Sequence, residues 1–284
     1  MPLVFDAKSF ISDGRIAVDS LPPSANRDCS EVSNFINAVF KSNGLNCTDP
    51  DQYAQDWVSA DRKVSFLVMA EALVNDLLPL PELDLVIVAH WSTDNELGHS
   101  ISNAIIHQCQ AKDAFGFAIS DSGPVAPFIA CELIDKWMEE GSRQALLVTM
   151  DQSTHLHPTS LLSDDARDNQ AAAFVLSHQT NGQPLFHHKF SLDQLPNRDS
   201  FIDSLESSFR LHLEDIYIVC DEQSLKYMAS GLESEVFLDS ASSSTPFYLA
   251  NKHLEAGKHV LVCRQYRNEL HVLYLGKEET NENC

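Results

Sequence analysis

Residues 83–89 read Leu-Asp-Leu-Val-Ile-Val-Ala, a run of aliphatic and β-branched side chains that lacks the polar alternation of a half-exposed strand. Such a strand is buried on both faces, which requires helices on either side of a largely parallel sheet. The flanking sequence supplies them. Upstream, Val64, Phe66, Leu67, Ala70, Leu73, Val74 and Leu77 recur at helical spacing until Pro79 and Pro81 stop the pattern. Downstream, the pattern predicts a helix over 99–110, a strand over 114–119, a long helix over 122–140 closed by Gly141, and strands over 144–150 and 170–177.

A polar connection occupies 179–200, and a shorter series follows: helices over 201–212, 223–230 and 245–254, with strands over 216–220, 259–264 and 269–275. The expected organisation is therefore two pseudo-symmetric βαβ halves, residues 1–180 and 181–284, that share one core. The first 60 residues are rich in breakers (Asp13-Gly14, Pro22-Pro23, Asn43-Gly44, Asp49-Pro50) and are expected to form only short strands and helices.

Composition bounds the function. With 44% hydrophobic and 21% charged residues, the 284-residue chain is globular. It has no apolar run of the roughly 18–20 residues that a membrane span needs. Its first residues, Met-Pro-Leu-Val-Phe-Asp, lack the basic and apolar regions of a secretory signal, so a cytoplasmic address is expected. Seven widely spaced cysteines without a CxxC pair predict reduced, mostly interior thiols. A formal net charge of -22 disfavours nucleic acid and anionic membrane and favours a partner with a basic or apolar docking face.

Three stretches, Asp84–Ala89, Ala114–Gly123 and Gly141–Val148, resemble the ketosynthase III family in order, spacing and hydrophobic pattern. The resemblance runs over about residues 63–275 and implies a thiolase-like α/β fold layered α/β/α/β/α. In that family a strand ends at a nucleophilic cysteine that opens a buried helix, where backbone N–H groups stabilise the thiolate; the matching residue here is Asp121. The segment 165–176 resembles a glycine-rich turn but lacks its glycines. The family's histidine matches Glu222, or Asp221 if the register slips by one, and its asparagine matches Asp239 in a serine-rich turn over 238–246.

Taken together, the resemblance implies a degenerate site, because three groups that must act jointly in acyl transfer are replaced by carboxylates. Ile119-Ser-Asp-Ser122 is similar to the sequence at the same place in the non-catalytic subunit of heterodimeric 2-alkylquinolone synthase. The implied role is a non-catalytic subunit, in a heterodimer or heterotetramer with a catalytic ketosynthase III-like partner that itself meets the acyl carrier protein or acyl-CoA. The edge strand at 114–119, with the helix at 98–110 nearby, is expected to form the interface.

Two alternatives stay open: an acyltransferase using Ser120 or Ser122, and a homodimer that binds an acyl ligand without chemistry. His90, Trp91, Phe115 and Phe117 are the expected pocket or interface residues. No cofactor and no metal is expected, because His155, His157, His187 and His188 have no accompanying ligand spacing and read as surface or loop residues. Cys109 and Cys131 read as packing residues. Asp121, Glu222 and Asp239 could alternatively form a cation or general-acid cluster.

Overall fold

β2 (Leu85–His90) is buried at every position but the last. Leu85, Ile87 and Ala89 join one core cluster while Val86 and Val88 join another, so the strand feeds apolar side chains to both faces of its sheet. The computed structural model describes residues 3–11, 28–60, 64–94, 96, 98–120, 122–138, 144–153, 169–178, 186–195, 201–205, 216–228, 233–237, 244–255 and 258–275.

β2 lies between two parallel neighbours, β3 (Phe115–Ile119) and β4 (Gln144–Asp151). β5 (Gln170–His178) runs antiparallel to β4, and β1 (Leu3–Ile11) antiparallel to β5, giving the order β1-β5-β4-β2-β3. A second sheet of β6 (Phe186–Ser191), β7 (Ile216–Asp221), β8 (Ser234–Phe237), β9 (His259–Tyr266) and β10 (Glu269–Leu275) has the order β6-β10-β9-β7-β8. Its pairing senses repeat those of the first sheet strand for strand. β3 and β8 therefore occupy matching outer positions.

Two helices fill the space between the sheets, α5 (Ala126–Met138) and the helix Thr245–Glu255. Both open with the same pattern, Ala126-Pro127-Phe128 and Thr245-Pro246-Phe247. Proline suits a helix start, where its missing N–H has no partner to lose. Phe128 and Phe247 then meet edge to face with ring centroids 5.9 Å apart, and both are buried in a cluster drawn from both sheets. Outside the first sheet lie α3 (Phe66–Leu77), whose N-cap Ser65 accepts from Val68 N, and α4 (Ile101–Gln108). Outside the second, Phe201 and Leu205 of the helical stretch 201–205 pack with Met228, which follows the short helix Glu222–Leu225. The layers are α/β/α/β/α, as expected.

The structure differs from the sequence reading in five places. The sheets are mixed rather than largely parallel, since β1, β5, β6 and β10 run antiparallel to their neighbours. The first 60 residues hold the nine-residue β1, the fourteen-residue α1 (Cys29–Ser42) and the ten-residue α2 (Pro50–Ser59) rather than only short pieces. Asp28 and Asp49 cap those two helices, and Val32, Ile36, Ala54 and Trp57 give them a small core of their own. The connection read as polar at 179–200 contains β6, and β8 was not anticipated. The helix expected over 223–230 is one turn, Glu222–Leu225.

Candidate functional site

β3 ends at Ile119, and the chain passes Ser120 and Ser122 into a single tight turn, Gly123–Val125, that opens α5. Asp121, at the expected nucleophile position, and Asp239, at the expected asparagine position, lie outside the described residues. Ser120 is exposed and Ser122 half-buried. Gly123 has φ +59°, a left-handed conformation open to glycine at little cost. A Cβ added there would stand 2.8 Å from both Cζ and Oη of Tyr266. The tyrosine at the end of β9 is thus seated directly on the turn where the buried helix begins. Gly123→Ala is expected to cost about 1–3 kcal/mol in urea unfolding, from backbone strain and the displaced ring. The cost should be smaller in a Tyr266→Ala background, where only the strain remains.

At the end of β7 the structure separates the two candidates for the histidine position. Glu222 is exposed, so it does not converge on the mouth of α5. Asp221 is buried, and both its oxygens are used: Oδ1 accepts from Ser224 N at 2.7 Å and Oδ2 from Gln265 N at 3.1 Å. It caps the short helix and ties β7 to β9, which is structural work for a carboxylate.

The start of the other central helix is fixed by hydroxyls. Ser244 Oγ donates to the Thr149 carbonyl at 3.1 Å, the two hydroxyls lie 3.0 Å apart, and Thr245 Oγ1 reaches Gln170 Oε1. Nearby on β9, Arg264 is 0% exposed, with its guanidinium 5.3 Å from the Phe237 ring centre. It shares the inward parity of Val260 and Val262, which line the inter-sheet core. Sequence reading missed this buried cation by treating Arg264 as a strand terminus; period-two counting along β9 would have turned it inward.

Four of the described thiols are held protonated by burial. Burial pushes Cys109 up to about 11 and Cys220 up to about 12, and drives Cys131 and Cys263 higher still. Three described imidazoles are committed elsewhere: His90 Nδ1 to the Ser92 carbonyl at 2.8 Å, His253 to Glu235 at 2.7 Å and His259 to Tyr274 at 2.8 Å. His187 and His271 pair with each other, so His187 is a buried strand residue rather than the surface or loop histidine expected; His188 is exposed, and His155 and His157 lie outside the described residues.

His90 packs edge to face on Phe66 of α3, on the outer side of the sheet and away from α5. Trp91 follows it in a loop held by Asp151, whose Oδ1 accepts from Trp91 N at 2.9 Å and Ser92 N at 3.1 Å. Phe117 packs partly against the inter-sheet core, whereas Phe115 is 52% exposed. Among the described residues no group of three His, Cys, Asp or Glu is placed to hold a metal ion, and no helix is long and apolar enough to cross a membrane.

Two five-stranded sheets of identical order, closed on two buried helices, decide the architecture, and solved structures share it. The chain has the thiolase-like fold. ChlB3, an acyltransferase, superimposes with a TM-score of 0.61 at 12% identity, covering 98% of this chain and 99% of its own. FabH of Pseudomonas aeruginosa PAO1, a 3-oxoacyl-(acyl carrier protein) synthase III, gives 0.57 at 12% identity over 98% and 99%. OleA of Xanthomonas campestris gives 0.57 at 12% over 96% and 98%. The likeness thus extends beyond residues 63–275 to nearly the whole chain. No family model and no curated protein matches the sequence.

Proposed function

We propose that the chain is a non-catalytic, ketosynthase III-like subunit that binds a catalytically complete subunit of the same fold and shapes its acyl pocket during acyl-chain condensation, in the manner of the non-catalytic half of a heterodimeric synthase. The observation that carries the reading is the contrast between the two matching edges. Among the described residues β3 pairs with β2 on one side only; it begins with Phe115, 52% exposed and stacked on Trp137 of α5 at 5.4 Å, with Leu133 alongside at 39%. Exposed aromatics beside an open strand edge favour docking of another sheet.

The matching edge is charged. β8 begins with Ser234, and five residues after the matched Phe128 and Phe247 the helices carry Leu133 and Lys252 respectively. Glu233 pairs with Lys258, whose amine sits 4.6 Å above the Tyr217 ring, and Glu235 with His253. Charges of this kind blunt an edge strand against association.

Loss of chemistry fits the same reading. Tyr266 is packed on Gly123 at the mouth of α5, and the described thiols other than Cys29 are buried or half-buried. A carboxylate at position 121 of the sequence is a weak acyl acceptor. A second copy is a poor partner, because both chains carry a net charge of -22. Acyl carrier protein or acyl-CoA would then be met by the partner. Co-expression with a catalytically complete ketosynthase III-like subunit is expected to give a stable one-to-one complex. A purified chain that forms a homodimer and ignores that subunit would overturn the reading.

A further inference from the structure

The inner face of the second sheet carries a polar row across an otherwise apolar seam. In the antiparallel register Lys189 of β6, His271 of β10 and Arg264 of β9 stand abreast, with His187 two residues along β6 from Lys189. The His187 and His271 side chains are only 1% and 2% exposed. His187 Nδ1 lies 3.1 Å from Oε2 of Glu132 on α5, and His187 Nε2 lies 3.1 Å from His271 Nδ1. Phe128 covers both rings, at 5.9 and 6.1 Å.

With both rings neutral, these contacts set which nitrogens carry the hydrogens. A carboxylate only accepts, so His187 Nδ1 carries the hydrogen and its Nε2 is bare. That bare nitrogen accepts from His271 Nδ1–H, which leaves His271 Nε2 as a buried lone pair without a hydrogen-bond partner. Its near neighbour, Glu269 Oε2 at 3.3 Å, is another acceptor. Neutral in this way, both rings carry their hydrogen on Nδ1.

We propose that the His187–His271 pair is an acid-released latch, holding α5 against the β6–β10 edge while both rings are neutral and releasing it when either takes a proton. A proton on His187 brings a second N–H to the 3.1 Å contact, which His271 can accept only by moving its own hydrogen to Nε2, and it places a charge in a buried seam. The new charge meets Glu132 Oε2 at 3.1 Å but also faces neighbouring cations. On α5, Glu132 is already paired with Lys136; on β6, Lys189 adds positive charge and His188 faces outward; on β9, Arg264 adds more. Glu269 of β10 is the remaining carboxylate, and Lys189 lies 3.9 Å from it.

Burial holds both histidines below the ordinary value, His271 down to about 3. Since the folded value lies below the unfolded 6.5, the stabilisation is complete above about pH 6.5 and is lost as pH falls toward 3. For His271 alone the unfolding equilibrium constant rises roughly 25-fold between pH 7 and pH 5.

Hydrogen exchange of the full chain at pH 7 and pH 5, corrected for intrinsic rates, tests the latch. Protection of 126–138 and 186–191 should fall together at pH 5, by up to roughly 25-fold. His271→Asn keeps an N–H for His187 and removes one of the two titrating rings, so it should lose less protection at pH 5 than wild type; His188→Asn should behave like wild type. Unchanged wild-type protection at pH 5, or a His271→Asn chain as acid-sensitive as wild type, overturns the proposal. Should that variant fail to fold, imidazole nitrogen NMR of the wild-type chain decides: hydrogen on Nδ1 of both residues is expected, and hydrogen on Nε2 of either contradicts it.

Discussion

Phe115→Asp should weaken binding of a complete ketosynthase III-like subunit by roughly 30- to 1000-fold, the effect of removing a central aromatic anchor worth about 2–4 kcal/mol. Phe115 is 52% exposed in the isolated chain and stacks on the partly exposed Trp137, so its replacement leaves the fold nearly untouched. The unfolding midpoint should therefore stay close to wild type while affinity collapses. Ser234→Asp, at the matching first position of β8, is the control and should leave affinity within about twofold, since most surface changes away from an interface are near neutral. Titration calorimetry reads both. Equal losses from the two edges, or none from Phe115→Asp, would place the partner elsewhere.

A second large effect is expected inside the molecule. Phe128→Ala should cost about 3–5 kcal/mol in urea unfolding, because the side chain is fully buried and touches elements of both sheets. Phe247→Ala should cost a similar amount. The pair should couple by about 0.5–1.5 kcal/mol in a double-mutant cycle, the range for edge-to-face aromatics at this separation. If the two halves had independent cores, each substitution would shift only one of two separate transitions and the coupling would vanish.

How much of this was readable beforehand depends on where stabilisation comes from. β2 was legible because a strand buried on both faces leaves a continuous apolar run, and α3 because Met69, Leu73 and Val74 are spaced for one buried face. β6 was not, because Phe186-His-His-Lys-Phe-Ser191 looks polar until His271 and Glu132 are brought beside His187 from 84 and 55 residues away. Side chains satisfied by distant partners leave no local pattern.

The site shows the same division. The carboxylates at the end of β7 were legible; that Asp221 rather than Glu222 turns inward was not, since it depends on the backbone N–H groups of Ser224 and Gln265. Tyr266 on Gly123 was equally hidden, because their approach is set by β9 meeting the turn before α5. One signal was present and unused: the paired Ala-Pro-Phe and Thr-Pro-Phe starts of the two central helices mark the pseudo-symmetric centre directly in the sequence.

The most direct test of a chain without acyl chemistry is its intact mass after incubation with an acyl thioester, in the absence of any partner subunit. An unchanged mass is the expected result. One acyl group gained, and lost again in Ser120→Ala or Ser122→Ala, would show that the mouth of α5 still performs acyl transfer and would contradict the account.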